Sequence, residues 1–138
     1  MSIRIKVSAT SPTRIDLAGG TLDLWPLHFL IPKAITVNFA VDLPASVEIT
    51  DAPTDHYHII SHDQKVDVHG TWHDIIQSPK LPLLTALLGA TWDPQLPPIS
   101  IDVRAKSPAG AGLGGSSALG ITVCAALHAA RMQADRHY

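Results

Sequence analysis

The chain has 138 residues, 46% of them hydrophobic and 16% charged, a balance that excludes a disordered chain and suits one domain with its own core. Ten Lys and Arg against twelve Asp and Glu give a net charge of −2, which offers no electrostatic argument for nucleic acid. One cysteine, Cys124, excludes an internal disulfide, and no apolar run reaches the roughly 20 residues that cross a bilayer.

Met1-Ser-Ile-Arg-Ile-Lys6 alternates instead of forming a signal-peptide apolar core, so the expected setting is cytoplasmic. Ile3, Ile5 and Val7 mark a half-buried strand, Ser11-Pro12-Thr13 interrupts it, and Arg14–Leu17 reads as a second strand ending at Gly19-Gly20. Ala34–Val41 and Ser46–Thr50 read as two strands joined through Asp42-Leu43-Pro44. His56–Ser61 and Lys65–His69 alternate around His62-Asp63-Gln64 as a hairpin. Ser78-Pro79 reads as the cap of a short helix with Leu83, Leu84, Leu87 and Leu88 on its apolar side and Gly89 at its end. Ile99, Ile101 and Val103 form a last strand, and Ala118–Ala130 an apolar helix with a polar tail, Arg131–Tyr138. Six or seven strands and two helices predict an α+β domain over residues 1–138.

Between the last strand and the last helix stands Ser107-Pro-Ala-Gly-Ala-Gly-Leu-Gly-Gly-Ser-Ser-Ala118. Glycines let backbone N–H groups approach a ligand, and the first turn of a helix adds unsatisfied N–H groups at the positive end of its dipole. Such a cradle suits phosphate, and a nucleoside triphosphate is the expected ligand. The serines stand where a hydroxyl can cap the helix, bind a phosphate oxygen or reach a metal. Gly110 and Gly115 have P-loop spacing, but Ser116 occupies the lysine position, so that motif fails. Gly110-x-Gly112-x-x-Gly115 fits a dinucleotide fingerprint formally, with Asp135 twenty residues beyond. Lys106-Ser107-Pro108 separates it from the strand, however, and Asp135 falls in the polar tail.

Pro108-x-Gly110-x-Gly112-Leu113-Gly114-x-Ser116-Ser117 resembles the nucleotide-binding signature of the GHMP kinases, the family of galactokinase, homoserine kinase, mevalonate kinase and phosphomevalonate kinase. Independently, Ser11-Pro-Thr-Arg14-Ile-Asp-Leu-Ala-Gly-Gly20-Thr21-Leu-Asp23 resembles that family's N-terminal motif, in the form most similar to the heptose-phosphate and sugar kinase branch. The resemblance implies a ribosomal-protein-S5-domain-2-like N-terminal domain, cut off before a ferredoxin-like C-terminal domain. It implies an ATP-dependent phosphotransferase that moves a γ-phosphate to a hydroxyl of a sugar or sugar phosphate. Pro108, Ala109, Gly110, Ala111, Gly112, Leu113, Gly114, Gly115, Ser116 and Ser117 would then bind ATP, with Ser116 at the Mg²⁺ position and Ser117 supporting the cap.

By the same resemblance Arg14, Gly20, Thr21 and Asp23 would meet the substrate, Arg14 neutralising charge on the transferred phosphoryl group. The family's catalytic aspartate follows the glycine loop at a distance this chain does not reach. The 138 residues alone are therefore expected to be inactive, to expose an apolar face, and to need a C-terminal domain or second chain. The rivals are a mevalonate-type isoprenoid kinase, a dinucleotide-binding oxidoreductase and a non-catalytic module of S5 fold. His56-x-His58 and His69…His73 have metal-like spacing but lack a completing ligand set, so solvated histidines are expected. Trp25, Trp72 and Trp92 read as core or rim residues, and Cys124 as a small buried hydrophobe.

Overall fold

A computed structural model describes residues 5–22, 24–108 and 110–136. In chain order the elements are β1 (Lys6–Ala18), α1 (Leu27–Leu30), β2 (Val37–Asp51), β3 (Tyr57–Ser61), β4 (Val66–Gly70), α2 (Trp72–Ile76), α3 (Pro82–Thr91), β5 (Ile99–Ala105) and α4 (Gly115–Asp135). The strands form one sheet in the order β1-β2-β5-β3-β4. Every pairing is antiparallel except β3 with β5. The domain is of mixed α+β class, as the alternation predicts.

Side chains alternate across a strand, and the odd-numbered apolar set, Val7, Val47, Ile49, Ile59, Ile101 and Val103, faces the helices. Leu119, Val123, Ala126, Leu127 and Ala130 of α4 return to the same side every three or four residues and are buried with them. Each fully buried Leu, Ile or Val stabilises the fold by about 1.5–3 kcal/mol, so this layer dominates stability. α4 lies over β1 and β2, α3 lies against α4, and α2 joins β4 to α3. On the other face the strands carry Lys6, Glu48, Asp102 and Arg104, the polar side of an antiparallel sheet.

Two interruptions expected from proline do not break their strands. β1 runs through Pro12 and β2 through Pro44, because both prolines fall at one register shift, between the pairs Ser11↔Ala45 and Thr13↔Val41. Irregular pairing there removes the need for ladder donors that proline lacks. Neighbours take up the freed carbonyls: Thr13 Oγ1 donates to Leu43 O at 3.1 Å, and the Lys106 N–H donates to Pro44 O at 3.0 Å. The result among the described residues is five strands and four helices, fewer and longer strands than predicted.

The helices differ as well. α3 starts at Pro82, behind Leu81, and continues through Gly89 to Thr91, so Ser78-Pro79 stands outside it and Gly89 does not end it. α2 was not legible as a helix, yet Thr71 and Asp74 close it with a reciprocal capping box. Cys124 is half-buried rather than buried.

Candidate functional site

The parallel pair organises one end of the sheet. β3 and β5 run the same way, so the turn after Ser61 and the glycine loop after Ala105 leave the sheet on the same side. The start of α3 arrives there too. Between them lies a cleft of about 670 Å³, walled by Asp63 and Gln64, by Leu81–Leu84, and by the loop from Ser107 to Ser117. Open α/β sheets bind ligands at the carboxyl ends of parallel strands for this geometric reason.

Glycine is required in the loop by its backbone. Gly110, Gly112 and Gly114 have φ of +74°, +71° and +64°, a region costly for residues with a Cβ. A Cβ at Gly110 or Gly112 would meet nothing within 4 Å, so the space beside them is open. Gly115 is constrained differently, because a Cβ there would collide with the Ser107 hydroxyl.

Gly114 is the N-cap of α4, and no side chain accepts from its first-turn N–H groups. Ser117, expected to support the helix cap, instead lies with Ser116 inside the first turn, both exposed and lining the cleft. The loop arrives in left-handed backbone as far as Gly114, which sets the cap there, with Gly115 between it and the serines. No acidic residue stands in that first turn, so the positive end of a 21-residue helix is unopposed by its own side chains. Lys106 adds a cation at the cleft.

The N-terminal motif comes to the loop from β1. The Arg14 N–H donates to Leu113 O at 3.1 Å, and a Cβ on Gly114 would lie 3.8 Å from Arg14 Cγ. One turn further into α4, Ser11 Oγ donates to Ala118 O at 3.0 Å and also touches Thr122 Oγ1. Two polar ties thus fasten β1 to the loop and to the helix that follows it. Arg14 Nε pairs with Asp16 Oδ1 at 3.3 Å, an exposed pair that orients the guanidinium more than it stabilises the fold. Gly20 folds back on that pair: a Cβ there would stand 2.7 Å from Asp16 Oδ2.

The structure therefore brings together Pro108, Gly110–Ser117 and Arg14, and reaches Gly20 through Asp16. Thr21 sits in the turn after β1, where its carbonyl accepts from Leu24 N–H at 3.3 Å, and does not line the cleft. Asp23 and Ala109 lie outside the described residues. Of the histidine sets, His56 precedes β3, and His69 and His73 fall on a strand and on α2 rather than on one helix. Among the described residues no group of three or more His, Cys, Asp or Glu is placed to hold a metal. Trp92 is buried, Trp72 packs against the core, and Trp25 is exposed.

Ser11, Asp63, Gln64 and the Leu81–Leu84 wall were missed. Position alone reveals them: the cleft wall follows from the parallel pairing of β3 with β5, His58↔Ser100 to Ser61↔Val103, and Ser11 from the contact of β1 with α4.

Comparison with known proteins bears on this geometry. The family model described as the GHMP kinases N terminal domain matches residues 82–136, from the start of α3 through the loop and α4. A search of curated proteins finds no match. Among solved structures, a D-glycero-D-manno-heptose 1-phosphate kinase from Bacteriodes thetaiotaomicron superposes with TM-score 0.71 at 22% identity, over 87% of this chain and 40% of its own. A mevalonate kinase from Methanococcus jannaschii superposes at 0.67 and 17%, over 88% and 39%. A Streptococcus pneumoniae phosphomevalonate kinase in complex with phosphomevalonate and AMPPNP superposes at 0.63 and 23%, over 91% and 37%. These likenesses establish the fold, and the chain spans about 40% of the length of the first of them. Residues 82–136 are thus similar to the N-terminal domain of the GHMP kinases, and the fold around them is the one shared by the solved kinases above.

Proposed function

We propose that residues 1–138 form the ATP-binding portion of a small-molecule kinase, which transfers the γ-phosphate of ATP to a hydroxyl of a sugar or sugar phosphate. The observation that carries this reading is the loop itself: left-handed glycines with open space beside them, leading into an uncapped helix N-terminus at a cleft. A triphosphate fits that cradle, since its oxygens need N–H donors and the loop and first turn supply them without a competing carboxylate.

In this reading the amides of Gly110–Ser117 hold the phosphates, and the exposed Ser116 hydroxyl is this chain's ligand to Mg²⁺. Mg²⁺ would supply charge neutralisation on the phosphate oxygens. Arg14, tied to the loop and oriented by Asp16, places its guanidinium where charge grows on the transferred group. Gly20, Thr21 and Asp23 belong to the acceptor side. The base that receives the hydroxyl proton is assigned to a further domain, on the same or another polypeptide. The exposed Phe29, Leu30, Ile35 and Phe39, on α1 and the neighbouring strand ends, support such a covering domain.

A mevalonate-type acceptor is the second reading, favoured by the fold shared with the mevalonate and phosphomevalonate kinases. A phosphorylation screen of the full-length protein with Mg-ATP against sugars, sugar phosphates and isoprenoid alcohols separates the two. Label in a sugar or sugar phosphate supports the first reading, and label in mevalonate or its phosphate alone replaces it with the second. Nicotinamide dinucleotide binding in place of ATP would return the oxidoreductase rival. Absence of any nucleotide binding would leave a non-catalytic module.

A further inference from the structure

The turn between β3 and β4 forms one wall of the cleft, yet it has no apolar anchor: Asp63, Gln64 and Lys65 are all exposed. Polar ties alone hold it. His62 Nε2 lies 2.9 Å from Asp102 Oδ2 on β5, and the His62 N–H donates to Val103 O at 3.0 Å. Buried Ser61 donates its hydroxyl to Asp63 Oδ1 at 3.0 Å, and Lys65, at φ +54°, closes the turn.

We propose that His62 and Asp102 are a positioning pair that fixes the turn 62–65 as the nucleoside end of the cleft, opposite the phosphate-binding loop. The inference rests on the nucleotide reading above and adds which residues set the far wall. A triphosphate lodged at the glycine loop leaves its nucleoside extending along the cleft, toward the Leu81–Leu84 wall and the Asp63–Gln64 rim. That rim can press on a bound nucleoside only if the turn keeps its place.

The chemistry of the pair suits the task. Asp102 accepts from His62 at one oxygen and from Arg104 Nε, 3.2 Å away, at the other. Partial burial pushes the Asp102 carboxyl up, but the hydrogen bonds from His62 and Arg104 outweigh it and hold the group below the ordinary carboxylate range. The carboxylate is therefore ionised at neutral pH and acts only as acceptor, which fixes the His62 Nε2 as the donor. The charged groups around the pair are Arg104 on β5, Glu48 opposite Asp102 on β2, and Asp63 and Lys65 on the turn.

The test uses this 138-residue chain with two probes, Mg-ATP and inorganic tripolyphosphate, titrated calorimetrically. Tripolyphosphate engages the glycine loop and lacks a nucleoside, so it is blind to the far wall. H62A is expected to weaken Mg-ATP binding about threefold to fivefold, the range of an exposed ion pair, and to leave tripolyphosphate binding unchanged. H62Q should restore ATP affinity, because its side-chain amide can donate to Asp102 as the imidazole does. D102A should match H62A, and the double variant should lose no more than either one. Equal loss for both probes, no loss for ATP, or additive losses in the double variant would each overturn the positioning role. A parent chain that binds tripolyphosphate and ATP alike, with H62A indistinguishable from it, overturns this inference and leaves the phosphate site standing. A parent that binds neither probe sinks the nucleotide reading and this inference together.

Discussion

The packed half of the sheet and the projecting ends of β1 and β2 are built from similarly apolar sequence but bury it very differently. Ile49, Ile59, Ile101, Val123 and Leu127 are all at or within 1% of full burial. Of the large hydrophobic side chains left exposed among the described residues, most fall between Leu17 and Phe39, with Trp25 at 78%, Phe29 at 71% and Ile35 at 71%. The pairing explains the difference. β5 accompanies β2 only from Ala45 to Asp51, so beyond that point β1 and β2 continue as a two-stranded ribbon carrying α1 at its end. A two-stranded ribbon alone is marginal in water, and an apolar patch of this extent usually marks a surface that meets something else. The body supplies stability, while the ribbon carries an apolar patch left open among the described residues.

Substitutions should separate the two regions, most strongly in the core. Leu127→Ala removes a fully buried side chain at the centre of α4 and should cost about 2–5 kcal/mol, read as a lower denaturation midpoint. Phe29→Ser on the ribbon should change stability by less than about 0.5 kcal/mol and improve solubility. Equal losses at the two sites would show that the ribbon is packed in solution and end the contrast.

The loop sits between these extremes. Gly112→Val puts a branched side chain at φ +71°, which costs about 1–2 kcal/mol, with no steric neighbour to add to it. Its larger effect should be loss of Mg-ATP binding by calorimetry, since the N–H donors move with the backbone. Ser116→Ala should leave the melting temperature unchanged, because Gly114 and not a serine caps α4, while lowering Mg²⁺-dependent phosphoryl transfer in the full-length protein strongly. A drop in melting temperature would show that the Ser116 hydroxyl supports the helix start after all.

The smallest effect is electrostatic. Asp74 and Asp102 both lie below the ordinary carboxylate value of 3.8, Asp74 through its hydrogen bonds with Thr71, Asp102 through His62 and Arg104 against the opposing effect of burial. A depressed folded-state value stabilises fully above the unfolded one and is lost as pH falls through the folded one. Stability should therefore decline below about pH 4, and Asp102→Asn should flatten that acid limb of the denaturation profile by lowering stability near neutrality while leaving it nearly unchanged in acid. An unchanged acid limb would contradict the assignment.

Much of this was legible in the sequence, for identifiable reasons. The hairpin of β3 and β4 was readable because period-two alternation is local. The loop was readable because its glycines and serines sit at fixed spacing, and Gly110, Gly112 and Gly114 take left-handed dihedrals there. Pro12 and Pro44 misled because proline marks a break only when its missing N–H matters, and here both fall at one shared register shift. Ser117 misled because capping depends on where the left-handed backbone ends, which is at Gly114, ahead of both serines. The cleft walls at Asp63 and Leu81–Leu84 were invisible, since nothing local encodes that β3 lies parallel beside β5.

The most direct measurement follows backbone amide resonances of the chain as Mg-ATP is added. If the N–H groups after Pro108 converge on polyphosphate, the largest shifts fall on Gly110 through Ser117, with Arg14 following through its bond to Leu113. Saturating shifts confined to other segments, or none at all, would contradict the assignment of this loop as the phosphate site.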